Sequence, residues 1–207
     1  MALGVNGGIG SCPMGLGFGI GVRWRGGGIR GGVSRDDRLR VGSWNIETLQ
    51  GKSMELVKIL RKRRINVVCV QETKWVGSKA RDVEEYRLWY SGSERCRNNV
   101  GILVDEELRE QVVEVNRVSD KVMTIKLVIG GFMVNICSAY TPYVGLDEEE
   151  KRRFWEVLDE VVSSVPSSKN IFIGGDFNGH IGALPVGYGE VHGGLSLRTG
   201  MMQELLF

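Results

Sequence analysis

Five residues in this chain have the types and the placement for phosphate or metal chemistry: Asn45, Glu72, Tyr140, Asp176 and Asn178. Asp176 and Asn178 follow the apolar run Ile171-Phe172-Ile173 and two glycines, Gly174 and Gly175. That pattern reads as a buried strand ending in polar groups. Alternate residues of an extended segment share a face, so a carboxylate and a carboxamide at i and i+2 project together from its C-terminal end. The first can ionise and the second can orient a substrate. The glycines suit close approach of a ligand or of a neighbouring strand. Read alone, Gly-Asp-Phe-Asn is equally an ordinary turn, because Gly, Asp and Asn dominate turns.

Three other segments separate these readings. Leu39 to Ile46 alternates apolar and polar residues like a strand and delivers Asn45 near its end. Ile65 to Val70 is a β-branched run of the kind buried on both faces, and it terminates in Gln71-Glu72-Thr73. Val122 to Ile129 and Phe132 to Ala139 flank Gly130-Gly131, a hairpin signal, and the second strand runs into Tyr140-Thr141-Pro142. Four apolar strands thus end in groups able to bind or react. Open sheets gather ligands at strand ends, and carboxylates with amide and phenol groups suit Mg²⁺ (or Mn²⁺), a hard cation that takes oxygen ligands.

The remaining elements must hold these ends together. A helix is expected from Ser53, read as its N-cap, with Leu56, Val57 and Leu60 on one face and Arg61 to Arg64 where the dipole favours cations. Asp147 with Glu150 forms a capping box ahead of a stripe of Phe154, Trp155, Leu158, Val161 and Val162, and Pro166 closes that helix. The acidic run 147–150 is a first-turn, dipole-favoured set rather than a metal site. Tyr86 to Tyr90, Asn99 to Val104 and Val112 to Val115 read as further strands. His180 reads as a surface-loop histidine.

Residues 1–38 hold thirteen of the 30 glycines and no acidic residue before Asp36, so they read as a disordered leader. Glycine breaks every apolar stretch there, which argues against a membrane helix, and a secretory signal's compact apolar centre is missing. The Arg content leaves an organelle transit peptide as the alternative reading. Among 207 residues, 27 basic and 25 acidic side chains give only +2, so any polyanion site must arise from local arrangement. Four cysteines without Cys/His ligand spacing, two of them inside apolar runs, point to a reducing intracellular setting in nucleus or cytoplasm. Neither a membrane nor an obligate protein partner is implied.

The motifs Trp44-Asn45, Gln71-Glu72-Thr73, Tyr140-Thr141-Pro142 and Gly175-Asp176-Phe177-Asn178 resemble, in order and spacing, those of the endonuclease/exonuclease/phosphatase superfamily. Within it the chain is most similar to the apurinic-type endonuclease domains of non-long-terminal-repeat retrotransposons and to craniofacial development protein 2-like proteins. The resemblance covers residues 39–194 and implies an α/β fold, a two-sheet sandwich flanked by helices, of the DNase I type. It implies a Mg²⁺-dependent phosphodiester hydrolase acting on DNA. Glu72 matches the metal-binding glutamate and Asn45 the amide supporting the metal shell. Tyr140 matches the tyrosine at the scissile phosphate, Asp176 the aspartate that activates water or assists the leaving group, and Asn178 the amide that orients it.

The family's domain runs on to a Ser-Asp-His motif, which these 207 residues do not contain. Residues 195–207 diverge, and Glu47 and Asn99 stand where the family leads one to expect other residues. The expectation is therefore a domain incomplete at its C-terminus, with uncovered sheet edges and weak or absent activity, since one lost general acid/base costs on the order of 10²–10⁴ in rate. Two alternatives remain: a non-catalytic nucleic-acid-binding or unstable remnant, and a phosphoesterase acting on small or lipid phosphates.

Overall fold

The computed structural model describes residues 39–92, 99–141, 147–166 and 170–177, with the backbone of 205–206. The described residues form ten strands and two α-helices in chain order, with a 3-10 turn at Arg109–Gln111: β1 (Val41–Asn45), α1 (Ser53–Arg63), β2 (Val67–Gln71), β3 (Lys79–Val83), β4 (Tyr86–Ser91), β5 (Val100–Asp105), β6 (Val112–Arg117), β7 (Val122–Ile129), β8 (Phe132–Tyr140), α2 (Glu148–Ser164), β9 (Asn170–Asp176) and β10 (Leu205–Leu206). One sheet runs β1-β2-β5-β4-β3 and the other β10-β9-β8-β7-β6. Both are mixed, each with one parallel pair: β1 with β2, and β8 with β9.

The sheets pack face to face. Val41, Val67, Cys69, Ile102 and Val104 of the first meet Met123, Ile125, Leu127, Ile136 and Phe172 of the second in one buried cluster. The outer face of the first sheet is covered by α1, whose Leu56, Val57 and Leu60 pack with Val68, Val70, Leu88 and Leu103. Strand β2 is accordingly buried on both faces, as its β-branched run requires. On the other side Phe154 and Leu158 of α2 cover Cys137, Ala139, Ile173 and Phe177. The layers are helix, sheet, sheet, helix: the expected α/β sandwich.

Helix α2 begins as the sequence predicts. The Asp147 carboxylate accepts from Glu150 N at 2.7 Å, and the Glu150 side chain accepts from Asp147 N at 3.4 Å. Helix α1 departs from expectation, because its N-cap is Lys52 and no side chain caps it; Ser53 is already helical. Its end is closed instead by Arg64 in the left-handed region, φ 55°, with Ile65 N bonding Leu60 O at 3.0 Å. Among the described residues no helix is long and apolar enough to cross a membrane.

Candidate active site

In each parallel pair both strands finish at the same edge of their sheet, and this is how residues far apart in sequence come to share a site. In the first sheet Asn45 lies in register with Gln71, so Glu72 follows immediately beyond. In the second, Tyr140 lies in register with Asp176. Stacking the sheets brings the two edges together.

What lets the edges meet is a layer of small and polar residues between β1, β2, β8 and β9. A Cβ built on Gly174 would stand 2.8 Å from Cys69 Cβ and 3.0 Å from Ser43 Cβ, closer than real side chains approach, so glycine there permits contact between the sheets. Gly175 is crowded within its own sheet and from the α2 side, by Ala139 O at 2.7 Å and the Phe177 ring at 2.9 Å. Gln71 is fully buried in this layer, and the two N–H groups of its Nε2 are shared among Ser43 Oγ, Ser138 Oγ and the Gly174 carbonyl at 3.3, 3.4 and 3.5 Å. These long bonds satisfy a polar side chain that would otherwise be costly to bury.

At the edge itself four predicted residues form one hydrogen-bonded unit. Asn45 Nδ2 donates to Glu72 Oε1 at 2.9 Å and to Asp176 Oδ2 at 2.8 Å. Tyr140 donates its hydroxyl to Glu72 Oε1 at 2.6 Å. Asn45 is fully used, since its Oδ1 accepts from Glu47 N at 3.1 Å. One amide therefore bridges two carboxylates that would repel if left alone. Glu72 adopts φ 57°, a conformation that non-glycine residues seldom take. Tyr140 is buried, whereas Asn45, Glu72 and Asp176 are half-buried and open to a ligand. The described bonds to Glu72 use Oε1 and leave Oε2 available.

Asn178, His180 and Pro142 lie outside the described residues. Two contributors were not singled out from sequence. Gln71 was read as part of a motif but not as the polar pin between sheets, and Asn99 was noted only as unexpected. Asn99 is fully buried and holds the turn that carries Glu72. No local signal in the sequence announces either role, because both depend on contacts across strands.

Comparison with known proteins agrees with this fold. The chain is 24% identical over 148 residues to craniofacial development protein 2 of Bos taurus, covering 70% of this chain and 25% of that protein. The Tragulus javanicus protein of the same name is 23% identical over 175 residues, covering 80% and 30%. The chain thus spans less than a third of these curated relatives. Among solved structures, the endonuclease domain of TRAS1, a telomere-specific non-LTR retrotransposon, superposes with a TM-score of 0.51 at 17% identity, over 68% of this chain and 59% of that one. TDP2 of D. rerio, solved with a single-strand DNA product, gives 0.53 at 15% identity over 73% and 68%. The Xenopus laevis APE2 catalytic domain gives 0.50 at 16% identity over 67% and 58%. A family model matches residues 42–196, a span containing all four motifs and both parallel strand pairs, and the chain accordingly belongs to the endonuclease/exonuclease/phosphatase family.

Proposed function

We propose that the chain carries metal-binding and catalytic residues of a divalent-metal-dependent phosphodiester hydrolase site of the retroelement endonuclease type, with DNA as substrate. The observation that carries the reading is the single unit formed by Asn45, Glu72, Tyr140 and Asp176 at the edge where both parallel strand pairs end. Its donor set fits a hard cation. Two carboxylates, Glu72 and Asp176, stand within reach of one amide.

Glu72 would hold the ion, with Asn45 fixing the carboxylate's direction. A bound Mg²⁺ or Mn²⁺ supplies neutralisation of the non-bridging phosphate oxygens and lowers the pKa of a coordinated water. Tyr140, whose hydroxyl donates to Glu72, would contact the phosphate, a role taken from the family motif. Asp176 would hold the proton of the attacking water or of the leaving oxygen, a general-acid/base role worth about 10²–10⁴ in rate. Asn178 would orient Asp176, a role taken from the family motif.

The test titrates Mn²⁺ into the 207-residue chain and assays nicking of abasic and plain duplex DNA with Mg²⁺. The expected result is Mn²⁺ binding that Glu72→Gln weakens. Incision should be EDTA-sensitive, and Asp176→Asn should reduce it without loss of DNA binding, which rests on dispersed phosphate contacts. Mn²⁺ binding unchanged in Glu72→Gln would sink the site. Faster hydrolysis of a phosphoinositide or small phosphate ester than of DNA would replace DNA as the substrate.

A further inference from the structure

Strand β2 ends at Gln71, and the next residues leave the ladder. Within three positions two non-glycine residues, Glu72 (φ 57°) and Lys74 (φ 55°), sit in the left-handed region. Such conformations persist only where the surroundings over-determine them. From one side the turn is held by Leu49 N, which donates to Thr73 O at 3.1 Å, and by the exposed Gln50, whose Nε2 donates to Lys74 O at 3.2 Å.

From the other side a single residue grips it twice. Asn99, just ahead of β5, accepts from Thr73 N through its backbone carbonyl at 3.1 Å and donates its side-chain Nδ2 to Trp75 O at 2.6 Å. Water can replace Gln50, but Asn99 is fully buried. Its neighbour is shaped around it: a Cβ on Gly92 would stand 2.2 Å from Asn99 Nδ2 and 2.7 Å from Trp75 O. Asn99 Oδ1 is buried and has no hydrogen-bond partner among the described residues. A side chain that orphans its acceptor while donating into the turn serves the turn's shape better than it serves packing.

We propose that Asn99 is a positioning residue for metal binding: by clamping Thr73 and Trp75 on either side of Lys74 it fixes the turn that aims the Glu72 carboxylate at the cation. The inference rests on the reading of Glu72 as the metal ligand. Partners one step removed from a ligand change metal affinity because they set its direction, and the usual loss on removing one is about 10–100-fold. Asn99→Leu removes the donation to Trp75 at similar size, and Asn99→Ala removes it while leaving room for water.

The experiment measures Mn²⁺ affinity of the full 207-residue chain by electron paramagnetic resonance, alongside thermal unfolding without metal, for the parent, Glu72→Gln, Asn99→Leu and Asn99→Ala. Expected is a Mn²⁺ affinity lower by about tenfold or more in an Asn99 variant that still unfolds cooperatively. A merely structural asparagine would move the unfolding temperature and leave Mn²⁺ affinity at the parent value, and that outcome overturns the proposal. Loss of folding in both Asn99 variants also overturns it. Glu72→Gln separates the two levels of argument. If it binds Mn²⁺ like the parent, the site reading fails and takes this inference with it; if it loses Mn²⁺ while the Asn99 variants do not, only the positioning role fails.

Discussion

The Tyr140 hydroxyl donates to Glu72 Oε1 at 2.6 Å, joining the last residue of a strand in one sheet to the first residue beyond a strand in the other. It is a bond between the two layers of the sandwich, made at the edge where chemistry is expected. Tyr140→Phe keeps the buried ring and deletes the donor. Glu72 is half-buried, so water can take the vacated place and the stability loss should stay near 1 kcal/mol. Turnover or Mn²⁺ affinity should fall on the order of 10–100-fold. A Phe variant with parent metal binding and turnover would show that the bond is incidental.

Asn45 separates two carboxylates by donating to both. Asn45→Asp turns that donor into a third negatively charged group at nearly unchanged shape, so three carboxylates then meet at about 3 Å. The variant should lose on the order of 2 kcal/mol at pH 8, allowing for partial solvent screening. The sign follows from charge: a divalent cation or added salt offsets the repulsion, so Mn²⁺ or raised ionic strength should reduce the deficit at pH 8. Thermal unfolding at low and high salt, with and without the ion, checks this; an equal deficit in all conditions would argue against an electrostatic bridge.

Much of this arrangement was legible in the sequence because it is carried by strand ends. An apolar run that stops at a polar residue marks both the element and the place where its side chain emerges, and Asn45, Glu72, Tyr140 and Asp176 were all read that way. The capping box at Asp147 was equally local. Strand β3 was missed, since Lys79-Ala80-Arg81-Asp82 is exposed and only Val83 is buried. An edge strand with one covered residue has no alternation to detect, and its charges are a protection against edge pairing. Ser53 was misplaced by one residue at an end where the cap makes no side-chain bond. Asn99 and Gln71 could not be assigned, because their roles depend on which strands become neighbours.

Gly174 offers a test of how closely the sheets must approach. Gly174→Ala places a methyl within 3.0 Å of the Cβ atoms of Cys69 and Ser43, which move only with the backbone. It should destabilise by about 1–3 kcal/mol through overpacking and push apart the edges that carry Asn45 and Asp176. Gly42→Ala is the matched control. Its Cβ would meet Ile65 and Val68 at an ordinary 3.8 Å, so it should be neutral or stabilising by about 0.4–1 kcal/mol through the unfolded chain. Denaturant unfolding of the pair decides, and equal midpoints would remove the argument for close approach.

Cys69 and Cys137 lie within the same sandwich and are free thiols. Cys69 Sγ donates to the Cys137 carbonyl at 3.4 Å. Burial pushes the Cys137 thiol up to about 12 and raises Cys69 further still. Only thiolate reacts with alkylating reagents, and at pH 8 a group with that pKa is ionised at about one part in 10⁴. Peptides containing Cys69 and Cys137 should therefore resist iodoacetamide in the native chain and label fully in denaturant. Because labelling then requires opening of the sandwich, its rate also reports the population of open molecules. Gly174→Ala, which loosens the layer around Cys69, should label faster than the parent at matched pH. Rapid native labelling of Cys69, read by mass spectrometry, would mean that the sheets do not close over it, and rapid labelling of Cys137 that α2 does not cover it as described.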